Sequence, residues 1–162
     1  MDTFEKTYQD NYNVMYRIAI KMLGNGSDVT DILQDVFMSF FEKQQQRKRV
    51  EYPRSWLCRA TLNKCVDKLR KEKKFTDAEP APDTEDKSIC QEKQEMKALM
   101  SYCLTRLSPR EKELVILYSE GLSYKELAQV TGIAFTSIGK TLSRSLKKLE
   151  NELKTHGYEV YK

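Results

Sequence analysis

Helix-breaking and strand-forming patterns are both scarce in this chain of 162 residues. It has only 6 glycines and 4 prolines, and no long run in which Val, Ile or Thr alternates with polar residues. Half-buried strands need that alternation, whereas Leu, Lys, Glu and Gln, which dominate here, favour helices. The composition therefore predicts an all-α protein, and the length suits one ordinary domain or two small helical ones.

Patterns that would mark a metal site, a cofactor or a catalytic centre are missing too. The 4 cysteines show no CxxC spacing and the only histidine is His156, so the close ligand pairs of a zinc site are absent. No glycine-rich phosphate loop and no nucleophile motif occur, so we expect no enzyme activity and no cofactor. Cys58 and Cys65 are expected to be small, buried apolar residues of a protein in a reducing compartment. A redox role is the alternative for Cys90 or Cys103.

Long apolar stretches are also lacking. The N-terminus shows no apolar signal segment, and no run is long enough to cross a bilayer. These absences predict a cytoplasmic protein that does not insert into membranes.

Charge is divided unevenly along the chain, although the net charge of +4 is small. Residues 57–74 carry seven cations against two acids, and residues 75–96 carry seven acids against two cations. The acidic stretch begins FTDAEPAPDTEDKS and has no helical period, which indicates a flexible linker. We expect an anionic partner for the first segment. The predicted domains are 1–74 and 94–162, joined by an acidic linker at 75–93.

The first domain is predicted to hold three helices around one core, the first over 3–23 and the second over about 27–45. The second helix carries four acids on one line opposite its apolar face. These acids are Asp28, Asp31, Asp35 and Glu42. Such a line is explained without any partner if it is a solvated surface whose first acids stabilise the positive end of the helix dipole. The alternative is a surface on which a partner protein docks.

The third helix, from Pro53 to about Lys74, has a cationic flank. Pro53 suits a first helical turn because its φ is fixed. The predicted buried seam is Cys58, Leu62, Cys65 and Leu69. A different line carries Trp56, Arg59, Asn63, Asp67 and Arg70, with Lys64, Lys68 and Lys71 beside it. Cations follow phosphates while aromatic and amide groups meet unstacked bases, so this helix suits single-stranded nucleic acid.

In the second domain, the first helix is predicted over about 89–106. Closely spaced signals for the starts and ends of further helices follow it. Ser108 and Ser123 each precede a Glu by three residues, which is the spacing of a capping box. Gly132 ends a short helix, and Thr136 is predicted to cap a long final one. A short helix, a glycine turn and a longer helix are typical of a helix-turn-helix.

The final helix has a buried stripe and an opposite polar side. The stripe is Ile138, Leu142, Leu149 and Leu153. The polar side is Ser137, Lys140, Thr141, Arg144 and Lys148. Short polar and cationic side chains suit the major groove of DNA. An ordinary helical hairpin whose charged side meets only water is the alternative.

Three motifs occur in order along the chain. The first is DVTDILQDVF at 28–37, the second is PRSWLCRATLN at 53–63 with DKLR at 67–70, and the third runs from LSPRE at 107 to Arg144. Together they closely resemble the extracytoplasmic-function (ECF) group of bacterial sigma factors, which have two domains. The resemblance covers nearly the whole chain and implies a subunit that gives RNA polymerase its promoter specificity.

The resemblance also implies three groups of site residues. Arg59 and Asn63 would hold a base flipped from the non-template strand of the −10 element. The whole −10 group is Pro53, Trp56, Arg59, Asn63, Lys64, Lys68, Arg70 and Lys71. The −35 group, for duplex DNA, is Thr136, Ser137, Lys140, Thr141, Arg144 and Lys148. The group for core polymerase is Asp28, Asp31, Gln34, Asp35 and Phe37.

Partners follow from the same resemblance. They are the clamp helices of the polymerase β′ subunit, the β flap, promoter DNA and, in many family members, an anti-sigma factor. Gly139 departs from the usual family pattern, in which a basic residue follows the buried aliphatic of the last helix, so the −35 preference is expected to differ.

Two other functions are open at this point. A stand-alone regulator would use only the helix-turn-helix and would bind duplex DNA without polymerase, which leaves Trp56, Arg59 and Asn63 unexplained. An interaction protein would instead sequester a partner through the acidic helix.

Overall fold

Seven α-helices and no strand make up the part of the chain that the structure, a computed structural model, describes, namely residues 3–24, 26–75 and 91–157. The helices are α1 Thr3–Leu23, α2 Val29–Gln45, α3 Pro53–Phe75, α4 Gln91–Thr105, α5 Pro109–Ser119, α6 Tyr124–Thr131 and α7 Phe135–Thr155. The all-α prediction is confirmed.

Helices α3 and α4 extend into the two ends of the predicted linker. Phe75 is the last residue of α3, and α4 already begins at Gln91, so residues 91–93 are helical. Residues 76–90, which include the predicted helix start near 89 and Cys90, lie outside the described residues.

Helices α1, α2 and α3 pack against one another around a common apolar core. Met15 and Ile18 from α1, Leu33 and Phe40 from α2, and Leu57 from α3 are each at most 1% exposed. Burying one such side chain contributes roughly 1.5–3 kcal/mol, so this core is the main source of stability for the three helices.

The predicted seam of α3 faces that core. Cys58, Leu62 and Cys65 are buried, while Leu69 is only half-buried because it lies further towards the free end of the helix. Burial raises the pKa of Cys58 and that of Cys65 to about 12. Both thiols therefore stay neutral and behave as small apolar groups, as predicted.

Helices α4 to α7 form a second bundle, in which α7 contacts the other three. Both predicted capping boxes that start its helices are present. The Ser108 hydroxyl accepts from the Glu111 amide at 3.3 Å, and the Ser123 hydroxyl accepts from the Glu126 amide at 3.1 Å. Each glutamate carboxylate accepts from the amide of its serine in return. Gly132 ends α6 with a φ of 78°, a left-handed conformation that glycine adopts without strain.

The prediction that Thr136 caps α7 is wrong. Helix α7 begins at Phe135, and its N-cap residue is Ala134, two residues before the predicted cap, which makes no side-chain cap hydrogen bond. Ile133 is buried, and the Ala134 carbonyl oxygen already accepts from the Ser137 amide at 2.8 Å, so the helix is under way before Thr136. Thr136 is left exposed within the first turn.

The two bundles also touch, α1 against α5 and α3 against α6. Lys112 of α5 donates to the carbonyl oxygen of Met22 in α1 at 3.4 Å. The sequence predicts only a tether between two domains, because groups that meet across 90 residues leave no local pattern. The domain boundaries at 74 and 94 stay a prediction.

Replacing Ser123 by Ala should lower the free energy of unfolding by about 1 kcal/mol, since the Glu126 amide loses its partner. Thr136→Ala is the matched control and should change it by less than about 0.5 kcal/mol. Urea titrations followed by far-ultraviolet circular dichroism measure both. Equal losses would contradict the position assigned to the cap of α7.

Candidate nucleic-acid interface

The turn after α2 and the start of α3 line an open, shallow cavity of about 340 Å³. Arg47, with a φ of 57°, lies in the turn after α2, and residues 48–52 connect this turn to the start of α3. The cavity is lined by Lys43, Lys48, Arg49, Val50, Glu51, Tyr52, Ser55, Trp56, Arg59 and Gln129. Four cations and two aromatic rings thus share one concave surface, a combination that suits single-stranded nucleic acid.

Of the four cations and two aromatic residues at the cavity, four are missing from the residues predicted from the sequence. They are Lys43, Lys48, Arg49 and Tyr52. The basic run Arg47-Lys-Arg49, just ahead of Pro53, is the sequence signal that could have indicated a cationic turn before the helix. Lys43 gave no such signal, because its position at the cavity depends on how α2 packs against α3.

Trp56, predicted to meet bases, is only partly available. Its ring is half-buried, with its centroid 5.7 Å from that of Phe40, and the Lys43 ammonium lies 5.5 Å from its centroid. The ring therefore forms the floor of the cavity and carries a cation on it, which places positive charge where a base or phosphate would enter.

The outer side of α3 is open to solvent. Arg59 and Asn63 are exposed one helical turn apart, and Lys64, Arg70 and Lys71 are exposed further along. Lys68 differs, because its ammonium pairs with the Asp28 carboxylate at 3.0 Å. Two residues predicted to bind different partners, DNA and polymerase, therefore bind each other here and tie α3 to the start of α2.

The acidic line on α2 is a solvent-exposed surface. Asp31, Gln34 and Asp35 are exposed. Phe37, which the sequence places in the same polymerase-binding group, is only 4% exposed, and its ring centroid is 4.5 Å from that of Tyr8. Phe37 thus supports this surface from within the core and offers nothing to a partner directly.

Helix α7 separates buried and exposed sides as predicted. Ile138, Leu142, Leu149 and Leu153 are buried, together with Ser145, whose hydroxyl donates to the Thr141 carbonyl oxygen at 2.7 Å. The exposed side chains of the −35 group are Thr136, Ser137, Lys140, Arg144 and Lys148.

Two members of the −35 group have partners within the protein. The half-buried Thr141 donates its hydroxyl to the Ser137 carbonyl oxygen at 2.8 Å. Lys148 donates to the Glu111 carboxylate at 3.2 Å, and this contact is among the causes that hold the pKa of Glu111 below its usual range, after its hydrogen bond with Ser108. These two are less available to DNA than Lys140 and Arg144.

Aromatic residues at the start of α7 were also missing from the predicted set. Phe135 is 60% exposed, and Tyr124 of α6 is 45% exposed. A Cβ added to Gly139 would lie 3.7 Å from the Tyr124 ring, which is an ordinary contact. Packing against Tyr124 therefore does not require glycine at this position of α7.

Within residues 3–24, 26–75 and 91–157, no group of acidic, histidine or cysteine side chains is arranged to hold a metal ion. The same part of the chain contains no helix that combines the length and the apolar character needed to span a membrane.

Comparison with known proteins gives two matching family models. Residues 7–75 match Sigma-70 region 2, and residues 98–149 match Sigma-70, region 4. The first match contains the outer side of α3 and every residue that lines the cavity except Gln129, and the second contains Gln129 and the helix-turn-helix.

Alignments with similar proteins extend over most of the chain. The ECF RNA polymerase sigma factor SigE of Mycolicibacterium smegmatis is 25% identical over 169 residues, and the match covers 99% of this chain but only 65% of SigE. RNA polymerase sigma factor SigV of Bacillus subtilis is 26% identical over 145 residues, with 89% of this chain and 87% of SigV covered.

A solved structure shares the fold. The sigma factor RpoE of Bartonella quintana, in complex with the anti-sigma factor NepR, superposes with a TM-score of 0.72 at 21% identity, and the match covers 95% of this chain and 98% of that one. With both sigma-70 regions matched in order and ECF relatives aligned over nearly its whole length, this chain belongs to the ECF group of the sigma-70 family.

Proposed function

We propose that this chain is a sigma subunit that binds core RNA polymerase, recognises the −35 and −10 promoter elements and helps to melt the duplex. One observation carries the proposal. The same chain presents a helix-turn-helix with a polar, cationic side and, on a separate bundle, a cationic and aromatic cavity beside the exposed Arg59 and Asn63. The first surface suits duplex DNA and the second suits a single strand, so together they suit a promoter that is being opened.

For the −10 element, we assign base contacts to Arg59 and Asn63. Both lie on the exposed side of α3 next to the cavity, and the seam on the opposite side fixes the direction in which they point. The cations Lys48, Arg49 and Lys64 can neutralise backbone phosphates on either side. Lys68 joins them only if its pair with Asp28 is broken.

For the −35 element, we assign Ser137, Lys140 and Arg144 as the main contacts. They are exposed along one side of α7, and the buried stripe holds the helix against α5 and α6. Cationic side chains can bind both guanine edges and phosphates, while the serine hydroxyl suits either. Thr141 and Lys148 contribute less, since each already has a partner within the chain.

For core polymerase, we assign Asp31, Gln34 and Asp35 on α2. Their side chains are exposed, and Phe37 and Phe40 hold the helix in place from the core. A row of carboxylates is complementary to a basic surface and would steer association with it. Because RpoE of B. quintana was solved with an anti-sigma factor, we propose that such a factor also binds this chain.

Run-off transcription from a random promoter library tests the function as a whole. Purified core RNA polymerase should yield transcripts with shared −35 and −10 motifs only when this chain is added. If the chain binds duplex DNA alone but yields no such transcripts, it is a stand-alone regulator and the sigma assignment fails.

Replacing Arg59 and Asn63 together by Ala should reduce open-complex formation about thirtyfold, because roughly 2 kcal/mol of base contacts is lost. Permanganate footprinting of unpaired thymines measures melting, and native gels measure binding to core polymerase, which should not change. Arg110→Ala with Asn151→Ala is the matched control, since both side chains are exposed outside the proposed contacts. Similar loss of melting in the control, or loss of polymerase binding in the first variant, would contradict the assigned roles.

Reversing the charges of Asp31 and Asp35 to Arg should weaken binding to core polymerase about tenfold, since two favourable pairs become repulsive. Fluorescence anisotropy of the labelled chain titrated with core polymerase gives the dissociation constant. Glu5→Arg with Asp10→Arg carries the same charge change on an exposed part of α1 and should leave the affinity unchanged. Equal affinities of the two double variants would make the acidic line a solvated surface.

A further inference from the structure

The buried stripe of α7 has one apolar member that the protein does not cover. Ile138, Leu142, Leu149 and Leu153 are buried. Phe135 precedes Ile138 by three residues, so it lies on the same side of the helix as the stripe. It is nevertheless 60% exposed, the largest fraction among the large apolar residues that the structure describes. A residue whose position in the helical period predicts burial is thus left open to a partner.

A second exposed ring lies beside the same part of α7. Gly139 follows Phe135 by four residues, so the two positions are neighbours on one side of the helix. A Cβ on Gly139 would lie 3.7 Å from the Tyr124 ring, and Tyr124 is itself 45% exposed. We call Phe135 and Tyr124 the aromatic edge of the helix-turn-helix.

Single exposed apolar residues are common on soluble proteins, and it is the position of these two that carries meaning. In a helix-turn-helix, the N-terminal residues of the second helix contact base edges in the major groove, while the first helix crosses the DNA backbone. Phe135 is the first residue of α7, and Tyr124 is the first residue of α6. The aromatic edge therefore lies at the end of the motif that enters the groove.

The first turn of α7 carries no charge. It runs from Phe135 to Ile138, and the first cation of the helix is Lys140. Cationic side chains suit guanine edges and phosphates, which an uncharged ring cannot bind in that way. The apolar group that a base presents in the major groove is the C5-methyl group of thymine, and a phenylalanine ring can pack against it. The chemistry of this turn therefore favours thymine.

We propose that Phe135 is a specificity-determining residue of the −35 interface, and that its ring packs against the C5-methyl group of one thymine in the −35 element. The Tyr124 ring borders this contact on the side of α6, and Lys140 and Arg144 bind guanine edges or phosphates further along α7. This inference rests on the proposed function, because it names the base that one residue of the same surface reads.

Replacing thymine by uracil tests this contact alone, since it removes the methyl group and leaves the hydrogen-bonding groups of the base pair in place. Run-off transcription from the random promoter library first supplies a duplex that the chain uses with core polymerase. Each thymine of its −35 element is then replaced singly by uracil, and competition gel shifts give the affinity of the chain with core polymerase. At one thymine the unmodified chain should lose about fourfold in affinity, the ratio that corresponds to one buried methyl group.

Substitutions of Phe135 should remove that ratio. Phe135→Ala should bind the thymine duplex at least about fourfold more weakly than the unmodified chain does, and should bind the thymine and uracil duplexes equally. Phe135→Leu keeps an apolar side chain and should retain part of the discrimination. Because Phe135 is exposed, both variants should fold, and circular dichroism melts check this.

The matched control is Leu146→Ala. Leu146 is 37% exposed on the same helix. It lies roughly 16 Å further from the N-terminus of α7 than Phe135, at 1.5 Å per residue. Removing its side chain should leave the fourfold ratio between thymine and uracil unchanged.

Three results would overturn the proposal: a −35 motif without thymine, equal affinities for thymine and uracil at every position, or a ratio that persists in Phe135→Ala. In the last case another residue reads the methyl group, and the exposed ring faces a sugar, a phosphate or another protein. If the library yields no transcripts that depend on the chain, the proposed function fails and this inference fails with it. Transcripts with a shared −35 motif but no effect of uracil would contradict the inference alone.

Discussion

Everything assigned to nucleic acid in the first bundle depends on how α3 is packed. Leu57, Cys58, Leu62 and Cys65 are buried along one side of this helix, and that fixes the opposite side outward. Since α3 also contacts α1, α2 and α6, its orientation sets the shape of the cavity at its N-terminus. Neutral thiols are suited to this seam because they fill the small space between helices without carrying charge into the core.

Charged residues serve two purposes on this molecule, and tertiary structure decides which one applies. Lys68 and Asp28 neutralise each other between α3 and α2, and Lys148 and Glu111 do so between α7 and α5. Arg59, Lys140 and Arg144 have no charged partner among the ion pairs of the described residues and are exposed. The cations on one helix side are therefore divided between holding helices together and facing solvent, where an anionic partner can reach them.

Local signals made much of the fold predictable, and long-range packing accounts for what was missed. Capping boxes at Ser108 and Ser123 depend on residues three apart, so the sequence located both helix starts. The N-cap residue of α7 is Ala134, whose side chain cannot cap a helix and gives no signal in the sequence, and for that reason the cap was wrongly assigned to the nearby Thr136. The candidate site shows the same contrast. The exposed sides of α3 and α7 could be predicted because their residues recur with the helical period. The cavity, which Gln129 also lines, could not be predicted because it forms only where helices distant in sequence meet.

The space beside Gly139 has a consequence for how this protein can diverge. A Cβ atom added there, as in alanine, would touch the Tyr124 ring at an ordinary distance and displace nothing. Helix α7 can therefore accept at least a methyl group next to Lys140 through one substitution, with its packing unchanged. The exposed side of α7 can thus vary between related chains while the bundle that carries it stays the same.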